Sequence, residues 1–186
     1  LYKARAVFKD AQTLELTDKK GEVSQVTAKH FVIATGASAR PLPGTTIDGK
    51  KILTYKEAIL QDTLPESVVI IGSGAIGVEF ATVWNAYGVK VTIVEMLPRV
   101  VPLEDEEISQ ELETAFNKAG ITTLTNTKVE AIDASGKQVK IKVTNAQGAQ
   151  EIQAEQVLVA IGFVPNIQNL GLETIGVQTA RGALVI

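Results

Sequence analysis

The periodicity of hydrophobic positions changes along the chain and divides it into segments. In residues 1 to 33, apolar and polar positions partly alternate, as they do in β-strands. The turn-like DKKG separates two predicted strands, and the apolar run HFVIATG predicts a further strand that ends at Gly36. The proline- and glycine-rich ARPLPGTTIDGK then predicts an inter-domain linker. A T-x-x-E capping box at Thr54 and Glu57 predicts a short helix that ends before Pro65.

From Pro65 onward, short apolar runs alternate with longer segments of helical spacing. GAIGVEFATVWNAYG predicts a helix that Gly88 ends, and EDEEISQELETAFNKAG predicts a helix that Gly120 ends. The apolar positions at helical spacing in the second helix are Ile108, Leu112, Ala115, Phe116 and Ala119. The runs SVVIIG, VKVTIVE and ITTLTN predict the strands of βαβ units, and therefore a parallel sheet with right-handed crossovers.

After Asn126 the hydrophobic period becomes two. KVEAID, KQVKIKVTN and AQEIQA predict a three-stranded antiparallel meander, and EQVLVAIG predicts a final apolar strand. The fold class is therefore α/β, with a Rossmann-like domain whose parallel sheet is built from βαβ units and is accompanied by a meander.

One pattern occurs twice, in VTAKHFVIATG (26–36) and in IQAEQVLVAIG (152–162). Each copy follows a predicted meander and ends in a glycine. Two interpretations stay open. Both copies could be buried strands that end in turns, or they could mark two related nucleotide-binding units in which a glycine-terminated strand passes beneath a cofactor.

Composition narrows the classes of function. The chain has 186 residues, 45% of them hydrophobic, which suits one or two domains. A net charge of −3 gives no basic surface for nucleic acid, and no apolar run approaches the ~18 residues of a membrane span. The absence of cysteine excludes disulfides, thiolate nucleophiles and cysteine-ligated metals, and a cytoplasmic protein is the default expectation. Because the chain opens at Leu1 and closes in ALVI, we expect an excerpt from a longer protein.

The strongest candidate site is the glycine-rich break after SVVII, where Gly72, Gly74 and Gly77 fit G-x-G-x-x-G. The first glycine permits a sharp turn, the second leaves room for a pyrophosphate, and the third lets the helix sit close to the sheet. The helix N-terminus, which includes Ala75 and Ile76, offers free N–H groups to the phosphates. A glycine-rich turn without a ligand is the alternative.

An acidic residue stands where this interpretation needs one. Glu95 lies 18 residues beyond Gly77 at the end of an apolar strand, close to the ~20 expected for the acid that binds a ribose 2′-hydroxyl. We expect Glu95, with the adjoining Met96, to contact NAD and to disfavour the 2′-phosphate of NADP. Arg99 is the nearest residue that could reverse this preference, although a solvated loop position suits it better. Glu79, near the start of the helix, has a sufficient structural reason in the helix macrodipole.

The segment GSGAIGVEFATVWNAYGVKVTIVEMLPRVVPLEDEEIS resembles the middle of the pyridine nucleotide–disulfide oxidoreductases, and within them most closely the dihydrolipoamide dehydrogenases. ATGASARPLPG before it and AIGFVPNIQNLGLE after it share the resemblance. The resemblance implies three parts. Residues 1–41 would be the late part of an FAD-binding domain, 42–163 an NAD-binding domain, and 164–186 the start of the return segment.

The resemblance also implies further cofactor contacts. Glu79 matches a glutamate near the nicotinamide, Val129 a residue near the adenine, and Gly162 a residue whose backbone passes the nicotinamide ribose. Thr35 and Gly36 match a segment that lies against FAD. Phe163 departs from the family pattern, because many members carry arginine there. The lone histidine, His30, matches no family acid or base and is interpreted as a solvated residue at a strand edge.

The function that the resemblance implies is an NAD(H)-binding part of a flavin-dependent dihydrolipoamide dehydrogenase. The parent protein would be a homodimer that passes electrons from dihydrolipoamide through a disulfide and FAD to NAD⁺. This chain lacks the family's redox cysteine pair, its first FAD fingerprint and its dimerisation domain, so we expect the isolated chain to be inactive. Alternatives are the NAD domain of an NADH oxidase, mercuric reductase or ferredoxin reductase, and a non-catalytic NAD-sensing domain. An FAD site at Gly72 is disfavoured, because the family places that fingerprint at the start of the chain.

Overall fold

The computed structural model describes residues 1–185 and shows an α/β fold. Within this range the strands are β1 Ala4–Asp10, β2 Thr13–Asp18, β3 Val23–Thr27, β4 Ala37–Ala39, β5 Ile52–Leu53, β6 Ser67–Ile71, β7 Lys90–Val94, β8 Thr122–Leu124, β9 Lys128–Asp133, β10 Val139–Asn145, β11 Gly148–Ala154, β12 Gln156–Val159, β13 Phe163–Pro165, β14 Thr179–Ala180 and β15 Ala183–Leu184. The helices are α1 Tyr55–Ala58, α2 Ala75–Ala86, α3 Glu106–Ala119 and the 3-10 helix Leu172–Ile175.

The chain divides into two compact units. One contains Leu1–Ser38 and the segment from Phe163 onward, and the other contains Ala39–Gly162. The assignment of an FAD-binding role to the first unit and an NAD-binding role to the second stays a prediction.

The second unit is built on a five-stranded parallel sheet of order β5-β12-β6-β7-β8. Successive residues of each strand point to opposite faces, so the apolar strands feed two separate cores. One core joins the sheet to α1, α2 and α3 through Val68, Ile70, Val91, Ile93, Leu158, Ala58, Ala81, Trp84 and Phe116. The other joins the sheet to the β9–β11 meander through Val69, Ile71, Val94, Val157, Val159, Val139, Ile141 and Val143. The predicted Rossmann-like sheet with an antiparallel meander is confirmed.

The helix ends follow the local signals in the sequence. The N–H of Gly88 (φ +84°) donates to the carbonyl of Asn85, and the N–H of Val89 donates to that of Trp84, which is a Schellman motif. Gly120 (φ +84°) ends α3 in the left-handed conformation. The predicted capping box at the start of α1 is present in full.

The predicted apolar face of α3 is partly wrong. Ile108 is 59% exposed, and the buried positions of the helix are Ser109 and Phe116, with Leu112 half-buried between them. The hydroxyl of Ser109 donates to the carbonyls of Asp105 and Val101, so this face of the helix turns toward the loop before it. A hydrogen-bonded serine therefore lies inside while isoleucine, one position away, lies outside.

The first unit contains the predicted N-terminal strands, paired antiparallel in the order β1-β2-β3. HFVIATG, however, is not a strand, and Val32 is 91% exposed. An apolar run forms a strand only where a neighbour completes its hydrogen bonds, and residues 28–36 have no ladder partner within the described chain. The repeated pattern thus forms a sheet strand only in its second copy, although both copies end in a glycine of positive φ.

Within residues 1–185, no helix combines the length and apolar character needed to cross a bilayer. The same residues contain no cluster of three or more potential metal-binding His, Cys, Asp or Glu side chains.

The capping box predicts a pH dependence of folding. The Thr54 hydroxyl donates to the Glu57 carboxylate at 2.5 Å and lowers the pKa of Glu57 below its ordinary 4.5; partial burial opposes this effect and the Thr54 N–H (2.8 Å) adds to it. A lowered folded-state pKa gives stability that is present above the unfolded pKa and lost as pH falls through the folded one. We therefore expect Glu57→Gln to be less stable than the wild type at neutral pH, and this difference in the free energy of unfolding to shrink in urea titrations as the pH falls below 4.5, the ordinary pKa of the carboxyl. The matched Glu111→Gln, at an exposed position of α3, should change the free energy of unfolding at neutral pH by less than about 0.5 kcal/mol.

Candidate dinucleotide-binding site

The turn after β6 accepts only glycine at its first position. Gly72 has φ +99°, and a Cβ there would lie 2.5 Å from the carbonyl oxygen of Ala160. Hydrogen bonds hold the backbone in this place, because the Gly72 N–H donates to Val94 at 2.9 Å and the Ala160 N–H donates to Ile71 at 2.8 Å. The turn is thus wedged between the ends of β7 and β12.

The other two glycines differ in what surrounds them. A Cβ on Gly77 would overlap the carbonyl oxygen of Gly72, so this glycine seats α2 directly on the turn. Gly74 is the N-cap of α2, and its missing Cβ would meet no atom within 4 Å. Open space therefore lies before the helix N-terminus at the position where the sequence predicts a pyrophosphate.

The N-terminus of α2 has unsatisfied donors. The first intrahelical bond runs from the Val78 N–H to the Gly74 carbonyl at 3.1 Å, so the amides of Ala75, Ile76 and Gly77 precede the helical ladder. No side chain caps this end and its first turn contains no acid. The partial positive charge of the helix is therefore available to an anion.

The sheet order places this helix end at a topological switch point. From β6 the chain winds outward through β7 and β8 on one side, whereas β12 returns to pair with β6 on the other. Such a reversal opens a crevice at the carboxyl ends of the strands, where open α/β sheets bind their ligands. The carboxyl end of β6 leads into Gly72, and that of β12 leads toward Gly162.

Glu95 lies beside the glycine-rich turn. Its Oε2 accepts hydrogen bonds from both the N–H and the hydroxyl of Ser73, each at 2.8 Å, and its Oε1 accepts one from the N–H of Leu97 at 2.9 Å. Glu95 is 8% exposed and Ser73 is fully buried. The sequence located the acid, but it did not show that Ser73, the variable residue of G-x-G, binds it. The serine hydroxyl at that position was the sequence feature from which this contact could have been predicted.

The loop after Glu95 is also tied to the turn. Val101, at φ +39°, donates its N–H to the Ser73 carbonyl at 3.0 Å. Arg99 lies in this loop, as expected, with its side chain 36% exposed. Its Nη1 lies 3.6 Å from Glu106, and its Nη2 donates to the Glu104 carbonyl at 3.5 Å. Both contacts are long, Glu106 is itself exposed, and the buried Nε of Arg99 has no hydrogen-bond partner among the described residues.

The remaining candidates of the second unit lie apart from these contacts. Glu79 is exposed in the second turn of α2, beyond its first turn, and Met96 is 65% exposed. Val129 is half-buried on β9 and packs against the meander-side core. Gly162 has φ +107°, and its carbonyl accepts a hydrogen bond from the Arg40 N–H at 2.8 Å.

Thr35 and Gly36 belong to the first unit and are exposed. Asn166 binds both: its side-chain amide donates to the Thr35 carbonyl at 3.2 Å, and its N–H donates to the Gly36 carbonyl at 2.9 Å. Sequence reasoning missed Asn166, because its partners are about 130 positions away along the chain. His30 is exposed, as expected, but lies in the irregular segment after β3 and not at a strand edge.

A family profile for pyridine nucleotide-disulphide oxidoreductases matches residues 2–186. The chain therefore belongs to the pyridine nucleotide–disulphide oxidoreductase family.

Within this family the chain is similar to dihydrolipoyl dehydrogenases. It is 49% identical to those of Mycobacterium tuberculosis and Mycobacterium bovis over 95% of its length, and 44% identical to that of Rhizobium etli over 89%. The chain spans 38% of the length of the mycobacterial relatives and 34% of the Rhizobium one.

Solved structures show the same fold. LpdA from Mycobacterium tuberculosis matches with a TM-score of 0.84 and 31% identity over 96% of this chain and 39% of its own. The flavoprotein disulfide reductase RclA from Escherichia coli, described as HOCl-induced, matches with a TM-score of 0.83 and 25% identity over 98% of this chain and 41% of its own.

The different surroundings of two glycines predict different costs of an added methyl group. In a helix, Gly→Ala ordinarily stabilises, but at Gly77 the new Cβ overlaps a backbone oxygen, so Gly77→Ala should destabilise the chain by about 1–3 kcal/mol. Gly74→Ala is the matched control and should destabilise the chain less, by about 0.5 kcal/mol, because alanine is disfavoured at an N-cap but its Cβ would meet no atom. Urea unfolding measures both. Equal free energies of unfolding for the two variants would contradict the close packing of α2 on the turn.

Proposed function

We propose that this chain binds NAD(H) at the carboxyl edge of its parallel sheet. The observation that carries the proposal is that the uncapped N-terminus of α2 and the buried carboxylate of Glu95 meet at one glycine-rich turn, joined through Ser73. A phosphate-binding helix end and a carboxylate one strand away are the two elements that a dinucleotide needs.

Each part of the site has its own role in binding. The amides of Ala75, Ile76 and Gly77 would donate to the pyrophosphate, in the space left open at Gly74. Glu95 would accept a hydrogen bond from the adenosine ribose, because Oε1 has one described donor and room for a second. The bound nicotinamide would supply hydride exchange, and this chain's residues orient it.

The remaining residues extend these roles as proposals. Met96 and Val129 would border the adenine, whereas Glu79 and the backbone of Gly162 would border the nicotinamide end. Thr35 and Gly36 would lie against FAD in the whole protein.

We expect NAD to be preferred over NADP. The Glu95 carboxylate would accept a hydrogen bond from a ribose hydroxyl but would repel a 2′-phosphate. Arg99, the cation that could offset this repulsion, lies near the opposite charge of Glu106, with its Nη1 3.6 Å from the carboxylate.

The whole protein would be a dihydrolipoamide dehydrogenase. The relatives at 44–49% identity carry the name dihydrolipoyl dehydrogenase, which supports this assignment. In such an enzyme electrons pass from dihydrolipoamide through a protein disulfide and FAD to NAD⁺, and two subunits form a homodimer. This chain would contribute the orientation of the nicotinamide.

A second candidate is another NADH-dependent flavoprotein reductase. The similarity to RclA, whose TM-score nearly equals that of LpdA, favours keeping it. An NADH oxidase, mercuric reductase or ferredoxin reductase would use an NAD domain in the same way, and a non-catalytic NAD sensor is the further alternative.

Titration of the chain with NADH and NADPH, followed by intrinsic fluorescence, tests the proposed site. The wild type should bind NADH more tightly. Glu95→Ala should weaken NADH binding about 10-fold, because it removes a charge-assisted hydrogen bond, and should leave NADPH binding no weaker. Equal affinity of the wild type for the two cofactors would remove the role assigned to Glu95.

Two controls separate the parts of this site. Glu111→Ala changes an exposed position of α3 and should leave the affinities for NADH and NADPH unchanged. Gly74→Ala should weaken NADH and NADPH binding alike, since the added methyl group fills the space for the pyrophosphate that both cofactors share. An unchanged affinity of Gly74→Ala would place the phosphates elsewhere.

The isolated chain should not reduce NAD⁺ with dihydrolipoamide. It has no cysteine, so no thiol can receive electrons from the substrate. Formation of NADH, followed at its near-ultraviolet absorbance with added FAD, should stay at the level of a protein-free blank. Turnover above that blank would contradict the proposed division of labour.

A further inference from the structure

Ser73 satisfies the buried side of the Glu95 carboxylate. Its N–H and its hydroxyl both donate to Oε2 at 2.8 Å, and Ser73 itself has no exposed surface. A carboxylate oxygen accepts about two hydrogen bonds, so Oε2 is fully used by a residue that no ligand can reach. Only Oε1, which accepts the Leu97 N–H at 2.9 Å, retains an acceptor position.

A buried carboxylate needs such donors to remain in one orientation. Without the hydroxyl, one lone pair of Oε2 would face the interior with no partner, at a cost that turning the side chain would relieve. That rotation would move the group that discriminates a ribose hydroxyl from a phosphate.

Ser73 is itself held from the other side. Its carbonyl accepts the Val101 N–H at 3.0 Å, and the Val101 carbonyl accepts the N–H of Glu104 at 2.9 Å and the hydroxyl of Ser109 at 3.3 Å. The backbone that carries the hydroxyl supporting Glu95 is thus held by contacts within the loop.

From these contacts we propose that Ser73 is the positioning residue that sets the preference of this site for NADH over NADPH, by holding the Glu95 carboxylate in place. The inference rests on the proposed NAD(H) site and extends it to a residue that does not itself touch the cofactor.

The test measures dissociation constants of NADH and NADPH for the chain and its variants. Ser73→Ala should weaken NADH binding about 5- to 10-fold and change NADPH binding by less than about twofold, because one charge-assisted hydrogen bond to Glu95 is lost while the phosphate cradle stays. In the Glu95→Ala background the same substitution should change NADH binding by less than about twofold, because contacting residues are non-additive.

A matched variant separates positioning from loss of stability. Thr123→Val removes a hydroxyl on β8 that donates to the Glu113 carboxylate at 3.0 Å and has no part in the contacts of Ser73, so it should leave the ratio of the two dissociation constants unchanged. If Ser73→Ala does not fold, Ser73→Cys keeps the shape of the side chain but has only a weak donor. It should lower the NADPH dissociation constant divided by that of NADH, as is expected for Ser73→Ala.

The outcomes distinguish two failures. A wild type that prefers NADH, combined with a folded Ser73 variant that keeps this preference, would overturn the role of Ser73 and leave the proposed site intact. A wild type that binds neither cofactor, or binds both equally, would overturn the NAD(H) assignment and the role of Ser73 with it. Loss of preference in Ser73→Ala but not in Thr123→Val supports the proposal.

Discussion

The second unit depends on one close approach of backbone to backbone, between Gly72 and the carbonyl of Ala160. A side chain at Gly72 would push β12 away from β6, and a side chain at Gly77 would lift α2 from the same turn. The pairing of the central strands, the position of the helix and the opening at its N-terminus are therefore coupled. Because the chain has almost no freedom here, the amides of α2 point at a fixed place relative to the sheet.

The two layers that pack against the parallel sheet, the helices and the β9–β11 meander, differ in their relation to the site. The helices bury one face, whereas the other is closed by the meander. The meander begins where the site is: the Thr127 N–H donates to the carbonyl of Glu95 at 2.9 Å, immediately before β9. The layer that completes the core thus also anchors the backbone of the acid at the edge of the sheet. A helix in that place would bury the face equally well but would not bring a strand end to Glu95.

Local sequence signals were sufficient to predict most helices and strands, whereas contacts between residues distant in sequence could not be predicted. The glycine at the end of α2, the capping box of α1 and the run of β-branched residues in β6 each act within a few residues, so pattern and structure agree. HFVIATG has the composition of a strand, but pairing is a property of the neighbours and not of the run. The contacts of Ser73 and Asn166 were invisible for the same reason, since their partners are distant in sequence. Ile108 shows the same limit within a helix, where the hydrogen bonds of Ser109 decided which side faced inward.

The backbone strain at Val101 is explained by the hydrogen bonds that surround it. A β-branched residue at φ +39° costs about 1–3 kcal/mol, and such a conformation persists only where its surroundings over-determine it. Here the N–H and carbonyl of Val101 are both engaged, and the N–H reaches the carbonyl of Ser73, whose own N–H and hydroxyl support Glu95. The strain is thus offset by a network of hydrogen bonds that fixes the acid. A site that only orients a cofactor gains most from this arrangement, because binding energy is then not consumed in ordering the groups that bind.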